Sequence, residues 1–161
     1  MSGSQRGSSG GTGAGTGAGL DVVTGGAGFI GSHLVDRLVA EGRRVRVIDN
    51  FASGQRRNLA GHAGNPKVEL REIDIRDRGA VRAALSGAAR VFHLAALADI
   101  VPSVQRPDDY HDTNLGGTFN VLEAARAAGV ERLVYAASSS CYGIPDRTPT
   151  PEDAAMRPQY P

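Results

Sequence analysis

The sequence predicts an α/β fold, a doubly wound parallel sheet, and three observations carry that expectation. From Leu20 onward, short apolar runs alternate with helical patterns, the signature of right-handed strand–helix–strand units. The glycine-rich stretch Thr24-Gly25-Gly26-Ala27-Gly28-Phe29-Ile30-Gly31 follows the apolar run Leu20 to Val23 and opens an amphipathic helix beginning Ser32-His33-Leu34-Val35. An acidic residue, Asp49, closes the next apolar strand, built on Val45, Val47 and Ile48.

Residues 1–19 are mostly Gly, Ser and Thr with one Ala step repeated, a composition that buries nothing and predicts a disordered tail. Gly11-Thr12-Gly13-Ala14-Gly15 within it echoes the later glycine turn, but no strand precedes it and no apolar helix follows, so it reads as linker. The first strand is expected near 20–24 and the first helix near 29–41. A strand near 45–49, a helix near 55–61, a strand near 67–71 and a helix near 77–85 follow. A strand near 90–95 leads to a long helix near 104–128, ended by Gly129 as a left-handed cap, and to a last strand near 132–138. The expected strand order is 3-2-1-4-5, which gathers the strand ends at the switch beside the glycine turn, where ligands bind in such sheets.

A chain of 161 residues suffices for one domain with a core and argues against two. The net charge of +1 points to neither a nucleic-acid nor a membrane partner. Arg43, Arg44 and Arg46 form the densest basic cluster, expected to be a solvated turn rather than a phosphate patch. The single cysteine, Cys141, excludes an intramolecular disulfide and fits a cytoplasmic setting. No apolar run approaches the roughly 20 residues of a membrane span, and the N-terminus carries no hydrophobic signal core. His33, His93 and His111 lack ligand-like spacing with Cys141 or one another, so structural roles are expected and no metal.

The glycine turn has the chemistry of an anion site. Gly25 permits a tight turn, Gly28 lets the backbone approach a pyrophosphate, and Gly31 allows helix and strand to pack closely, while unpaired N–H groups at the helix start, around Phe29 and Ile30, face the anion. Asp49 stands where a ribose-binding carboxylate is expected, about 20 residues on. It can accept two charge-assisted hydrogen bonds from ribose hydroxyls, each worth about 1.5–3 kcal/mol, and would repel a 2′-phosphate, which favours NAD over NADP. The competing structural role is a strand-end cap, a task that Asn50 is placed to perform alone. Ala95 and Ala96 are small, as a backbone passing close to a ligand requires and as tight core packing also requires. Asn114 lies mid-way in a helical pattern, where its low propensity needs a reason; Leu115, Phe119 and Leu122 set apolar groups around that face, so a buried polar role is expected.

From Leu20 to its last residue the chain resembles the extended short-chain dehydrogenase/reductase family, and within it the NAD-dependent nucleotide-sugar epimerases of the UDP-galactose 4-epimerase type. Thr24 to Gly31 matches the family's TGxxGxxG, and Asp49-Asn50-Phe51-Ala52-Ser53-Gly54 resembles its DNxxxG segment. Asp74-Ile75 resembles the pair that meets adenine, although Asp74 is also placed to cap the helix starting near Asp77. His93-Leu94-Ala95-Ala96, Asn114 before Gly116-Gly117-Thr118, and Ser138-Ser139-Ser140-Cys141-Tyr142-Gly143 complete the set. The resemblance implies a Rossmann-like fold, NAD as cofactor, a nucleotide-sugar substrate, Asn114 as a residue that helps hold the active site, and a homodimer pairing through the helices near 77–85 and 104–128.

It also implies a reaction in which hydride leaves C4 of the sugar and returns to its other face, while a Tyr phenolate takes the hydroxyl proton with the help of a Lys four residues on and a Ser. Counting back from Tyr142-Gly143, that Ser is Ser138, with Ser139 and Ser140 as the neighbours onto which the assignment can slip. Relatives that eliminate water or decarboxylate carry a Glu where this chain has Ser140, so an epimerase is favoured over a dehydratase. Two alternatives stay open: another dehydratase or reductase of the extended family, and a non-catalytic NAD-binding module. Ala98 replaces a Lys that contacts the cofactor in some members. The catalytic Tyr and Lys are expected just beyond Pro161, Tyr160 falling two residues early. Residues 20–161 are therefore expected to be an N-terminal portion truncated after about five strands, without the substrate-binding region and inactive alone.

Overall fold

β1 (Leu20–Thr24), β2 (Arg44–Asp49), β3 (Val68–Glu72), β4 (Ala88–His93) and β5 (Arg132–Tyr135) form one all-parallel sheet in the order β3-β2-β1-β4-β5. The computed structural model describes residues 19–158, so the expected N-terminal tail, apart from Gly19, and Tyr160 lie outside the described residues. The strand order is the expected one. Alternation sends neighbouring side chains of a strand to opposite faces, and helices cover both faces of the central strands, whereas the edge strands β3 and β5 are largely exposed. Val23, Val45 and Val47 meet Val35 and Leu38 of α1 (Phe29–Ala40) on one face. Val22, Ile48 and Val91 meet Val81 of α2 (Arg78–Ala84) and Val121 of a later helix on the other.

The segment expected as a helix near 55–61 is a 3-10 turn, Arg56–His62. Leu59 on it is buried against the α1 face, a contact worth about 1.5–3 kcal/mol. The long helix expected over 104–128 is broken into α3 (Ile100–Gln105), α4 (Pro107–Tyr110), a π-helical turn (His111–Gly117) and α5 (Thr118–Ala128). Pro107 is the cause of the first break: the residue before a proline is driven out of the helical region, and Arg106 sits at φ −136°, ψ 63°. Gly129 ends α5 at φ 67°, as expected. β5 stops at Tyr135 rather than near 138, because its pairing with β4 ends at His93 opposite Tyr135. β4 itself runs over 88–93 rather than 90–95.

The arginine cluster is not a solvated turn. Asp21, fully buried, accepts from Arg43 at 2.8 and 2.7 Å and from Arg90 at 2.8 and 2.6 Å. Burial pushes the Asp21 carboxyl up, but the two guanidinium groups outweigh it and hold it below the ordinary carboxylate value. Arg46 binds Glu69 at 2.7 Å and the carbonyls of Ala84 and Ser86 at 2.7 and 3.1 Å; only Arg44 is exposed. These ion pairs close the end of the sheet at which the strands start. Among the described residues no helix is long and apolar enough to cross a membrane.

Candidate functional site

At the opposite end, where β1, β2 and β4 finish, lies a cavity of about 430 Å³. Gly25 and Gly28 form one wall of it. Gly25 has φ +69°, and a Cβ there would lie 2.7 Å from the Ala95 nitrogen and 2.8 Å from the Leu94 carbonyl carbon, so the chain leaving β4 passes directly over the turn. Gly31 is excluded from carrying a side chain for a different reason: its Cβ would strike the Gly25 carbonyl oxygen and sit 2.7 Å from the Gly26 Cα. Phe29 and Ile30 stand in the first turn of α1 with exposed side chains. Gly28, the N-cap, offers no side-chain acceptor, so the N–H groups of that first turn remain available to an anion.

Asp49 is buried and forms the second wall. Its Oδ2 accepts from the Ala27 N–H at 2.9 Å and its Oδ1 from the Phe51 N–H at 2.8 Å. The structural role weighed for it therefore holds, since it caps the turn after β2, and it also borders the cavity. A carboxylate offers about four acceptor positions, of which two are used. Asn50 shares the capping, its Oδ1 accepting from the Ala52 N–H at 3.0 Å, while its amide donates to Asp74 at 3.0 Å. Ser53 and Gly54 continue the same wall. Phe51 holds the turn at φ 58°, with the Arg56 guanidinium 4.0 Å over its ring.

Asp74 does not cap α2; Asp77 does, accepting from the Ala80 N–H at 3.0 Å. Instead Asp74 pairs with Arg76 at 2.7 Å. The Arg76 side chain, outweighing burial and helped by the Arg76 N–H and Asn50, holds the Asp74 carboxyl at about 2. Ile75 is buried and lines the cavity beside Arg76.

Leu94, Ala95 and Ala96 form the third wall, and Thr24 fixes it. The Thr24 hydroxyl oxygen accepts from the Leu94 and Ala95 N–H groups at 3.2 and 3.3 Å, which occupies both of its lone pairs. Its proton must then go to Nδ1 of His93, 2.6 Å away, so His93 carries its own proton on Nε2 and donates it to the Thr118 hydroxyl at 2.9 Å. Burial pushes the His93 ring down to about 4 and keeps it neutral. Asn114, on the π-helical turn, does not line the cavity but holds the wall residue Leu97, its Oδ1 accepting from the Leu97 N–H at 2.8 Å and its Nδ2 donating to the Leu97 carbonyl at 2.9 Å. The apolar residues expected around Asn114 do not enclose it: Leu115, Phe119 and Leu122 are 62%, 55% and 47% exposed.

Ser138 lies beyond β5, not at its end, and caps a 3-10 turn, Ser139–Tyr142; its hydroxyl oxygen accepts from the Ser140 N–H at 3.2 Å. It is exposed and does not line the cavity. The site residues that sequence reasoning missed come from the broken helix: Pro102, Arg106, Asp109, Tyr110 and Thr113 line the same cavity. Tyr110 donates to the Asp99 carbonyl at 2.7 Å. Pro107 was the available signal, since it cuts the helix that would have carried these residues away from the strand ends. The donor set fits a dinucleotide: Gly25, Gly28 and the Asp49 carboxylate share one cleft, and the uncapped start of α1 follows directly from Gly28.

The family model described as the NAD dependent epimerase/dehydratase family matches residues 22–161. UDP-glucose 4-epimerase of Streptomyces lividans is 39% identical over 140 residues, which cover 87% of this chain and 42% of that protein. The solved UDP-N-acetylglucosamine 4-epimerase from Methanobrevibacter ruminantium M1, in complex with UDP-N-acetylmuramic acid, is similar at a TM-score of 0.82 and 32% identity, over 89% of this chain and 46% of that one. UDP-glucose 4-epimerase from Brucella ovis in complex with NAD is similar at a TM-score of 0.80 and 32% identity, over 89% and 43% of the two chains. The chain thus spans less than half the length of the relatives it matches.

Proposed function

Because the chain belongs to the NAD-dependent epimerase/dehydratase family, we propose that residues 20–161 form the NAD-binding domain of a nucleotide-sugar 4-epimerase, with its catalytic Tyr and Lys and its sugar-binding region in further chain. One observation carries the reading: the glycine turn, Asp49 and the alanine pair after β4 open on a single cavity. Gly25, Gly28 and the first-turn N–H groups of Phe29, Ile30 and Gly31 would hold the pyrophosphate. Asp49, Asn50, Ser53 and Gly54 would hold the adenosine ribose, Asp74 and Ile75 the adenine, and Leu94, Ala95 and Ala96 the path toward the nicotinamide. Asn114 keeps that path in place through Leu97.

Bound NAD supplies a hydride acceptor and donor for C4 of the sugar. The chain's own contribution to proton handling is Ser138. Its oxygen accepts from the Ser140 N–H, so its proton is left to donate to a sugar oxygen, a bond that strengthens as negative charge grows there. Ser140 stands where relatives that eliminate water carry a Glu, which supports epimerisation. A cytoplasmic setting accompanies the reading, supported by cysteine usage. Calorimetric titration of NAD and NADP tests it: NAD is expected to bind more tightly, and equal or tighter NADP binding would sink the assignment of Asp49 to the ribose.

A further inference from the structure

Ala27, the one non-glycine residue in the middle of the turn, is buried and held on both sides of its peptide frame. Its N–H donates to Asp49 Oδ2 at 2.9 Å. Its carbonyl accepts twice, from the Gln55 N–H at 2.9 Å and from the Asn58 side-chain amide at 2.8 Å. Asn58 sits on the 3-10 turn Arg56–His62, one residue before Leu59, which is buried beneath α1. Its own N–H donates to the Gln55 carbonyl at 3.0 Å.

The Ala27 carbonyl and the Gly28 N–H belong to one rigid peptide plane. Fixing the direction of that carbonyl therefore fixes the direction of the Gly28 N–H, which reaches the Gly25 carbonyl at 3.1 Å, and with it the entry angle of α1. The donors meant for an anion are the N–H groups of the same α1 turn. Asp49, the ribose-side carboxylate, grips the preceding peptide of the same residue. The two halves of the site are thus tied at Ala27, and Asn58 is the only side chain besides Asp49 in the tie among the described residues.

We infer that Asn58 is a positioning residue of the dinucleotide site: acting through the Ala27 carbonyl, it locks the phosphate-facing turn to the ribose-facing loop. The inference rests on the NAD reading and adds to it a residue that does not line the cavity. A neutral amide is required because a carboxylate at 58 would place an acceptor against the Ala27 carbonyl and remove the donor.

The test compares Asn58→Ala and Asn58→Asp with the unaltered 161-residue chain in three measurements: NAD and ADP-ribose affinity by calorimetry, melting temperature without ligand, and amide hydrogen exchange over Gly26–Gly31. Asn58→Ala is expected to weaken both ligands about tenfold and Asn58→Asp more. The melting temperature should fall by only a few degrees, since Gln55 still serves the carbonyl, while exchange at Gly26–Gly31 rises. Unchanged affinities with unchanged exchange overturn the inference. So does an affinity loss that disappears on cooling to where the variant is fully folded, because that is a merely structural role. If the unaltered chain itself binds neither ligand, the NAD reading fails; exchange at Gly26–Gly31 then decides separately whether Asn58 holds the turn.

Discussion

Asp49 holds two backbone N–H groups and, on the proposed reading, the ribose, and its substitution should register both. Asp49→Ala removes the acceptor for the buried Ala27 N–H and for the Phe51 N–H, which should cost about 1–3 kcal/mol of stability. NAD affinity should fall about 10- to 100-fold. Urea denaturation reads the first number and calorimetry the second; a loss of affinity with full stability would show that the backbone partners contribute nothing. His93 makes a different claim. Its ring titrates near 6.5 when unfolded and about 4 when folded, so the fold favours the neutral form. The stability this provides is complete above about pH 6.5 and is lost as pH falls toward about 4, at most about 3 kcal/mol in all. Urea midpoints measured from pH 7 to pH 4 should trace that fall and flatten in His93→Gln. Carboxylates held low, such as Asp74 at about 2, add a loss of their own only from about pH 5 downward, as the unfolded carboxyls begin to take up protons. The sequence made Asp49 visible through its place after an apolar strand. It could not show that half of its acceptor capacity goes to Ala27 and Phe51, because those bonds depend on how the loop folds back.

The strands and their order were legible because each run is short and bounded by turn residues, and the central strands β1, β2 and β4 are packed on both faces. The third and fourth helices were not. Pro107 and the Gly116-Gly117 pair stood in the sequence as breaks, yet the apolar spacing of Val104, Leu115, Phe119 and Leu122 reads as one continuous helix. The middle of it is a π-helical turn from which Asn114 bonds both polar groups of Leu97, a tertiary contact that no local pattern encodes. Removing the amide should therefore loosen the segment after β4. Asn114→Ala is expected to weaken NAD about tenfold, the equivalent of about one lost hydrogen bond, and to open residues 96–106 to limited proteolysis. Unaltered proteolysis would detach Asn114 from that role.

Across the whole molecule, the described surface carries large exposed apolar groups on one set of neighbouring elements: Ile100, Val101 and Val104 on α3, then Leu115, Phe119 and Leu122. Apolar groups gathered in this way favour association. Sedimentation should show concentration-dependent self-association, and Phe119→Glu should shift the chain toward monomer. The same chain should not epimerise UDP-galactose or UDP-N-acetylglucosamine, since its only lysine, Lys67, follows no tyrosine at the required spacing; turnover would overthrow the assignment of the base. The Asp21 ion triad gives the molecule one further property. It sits at the start of β1, and the ligand-facing groups sit past the end of that strand, about 10 Å or more away along extended chain. Weakening it with Asp21→Asn should lower the melting point and leave the NAD dissociation constant within twofold. Durability and affinity then become separate coordinates, each with its own set of substitutions, and a library drawn from the triad's end of the sheet can be screened for heat resistance without the ligand present.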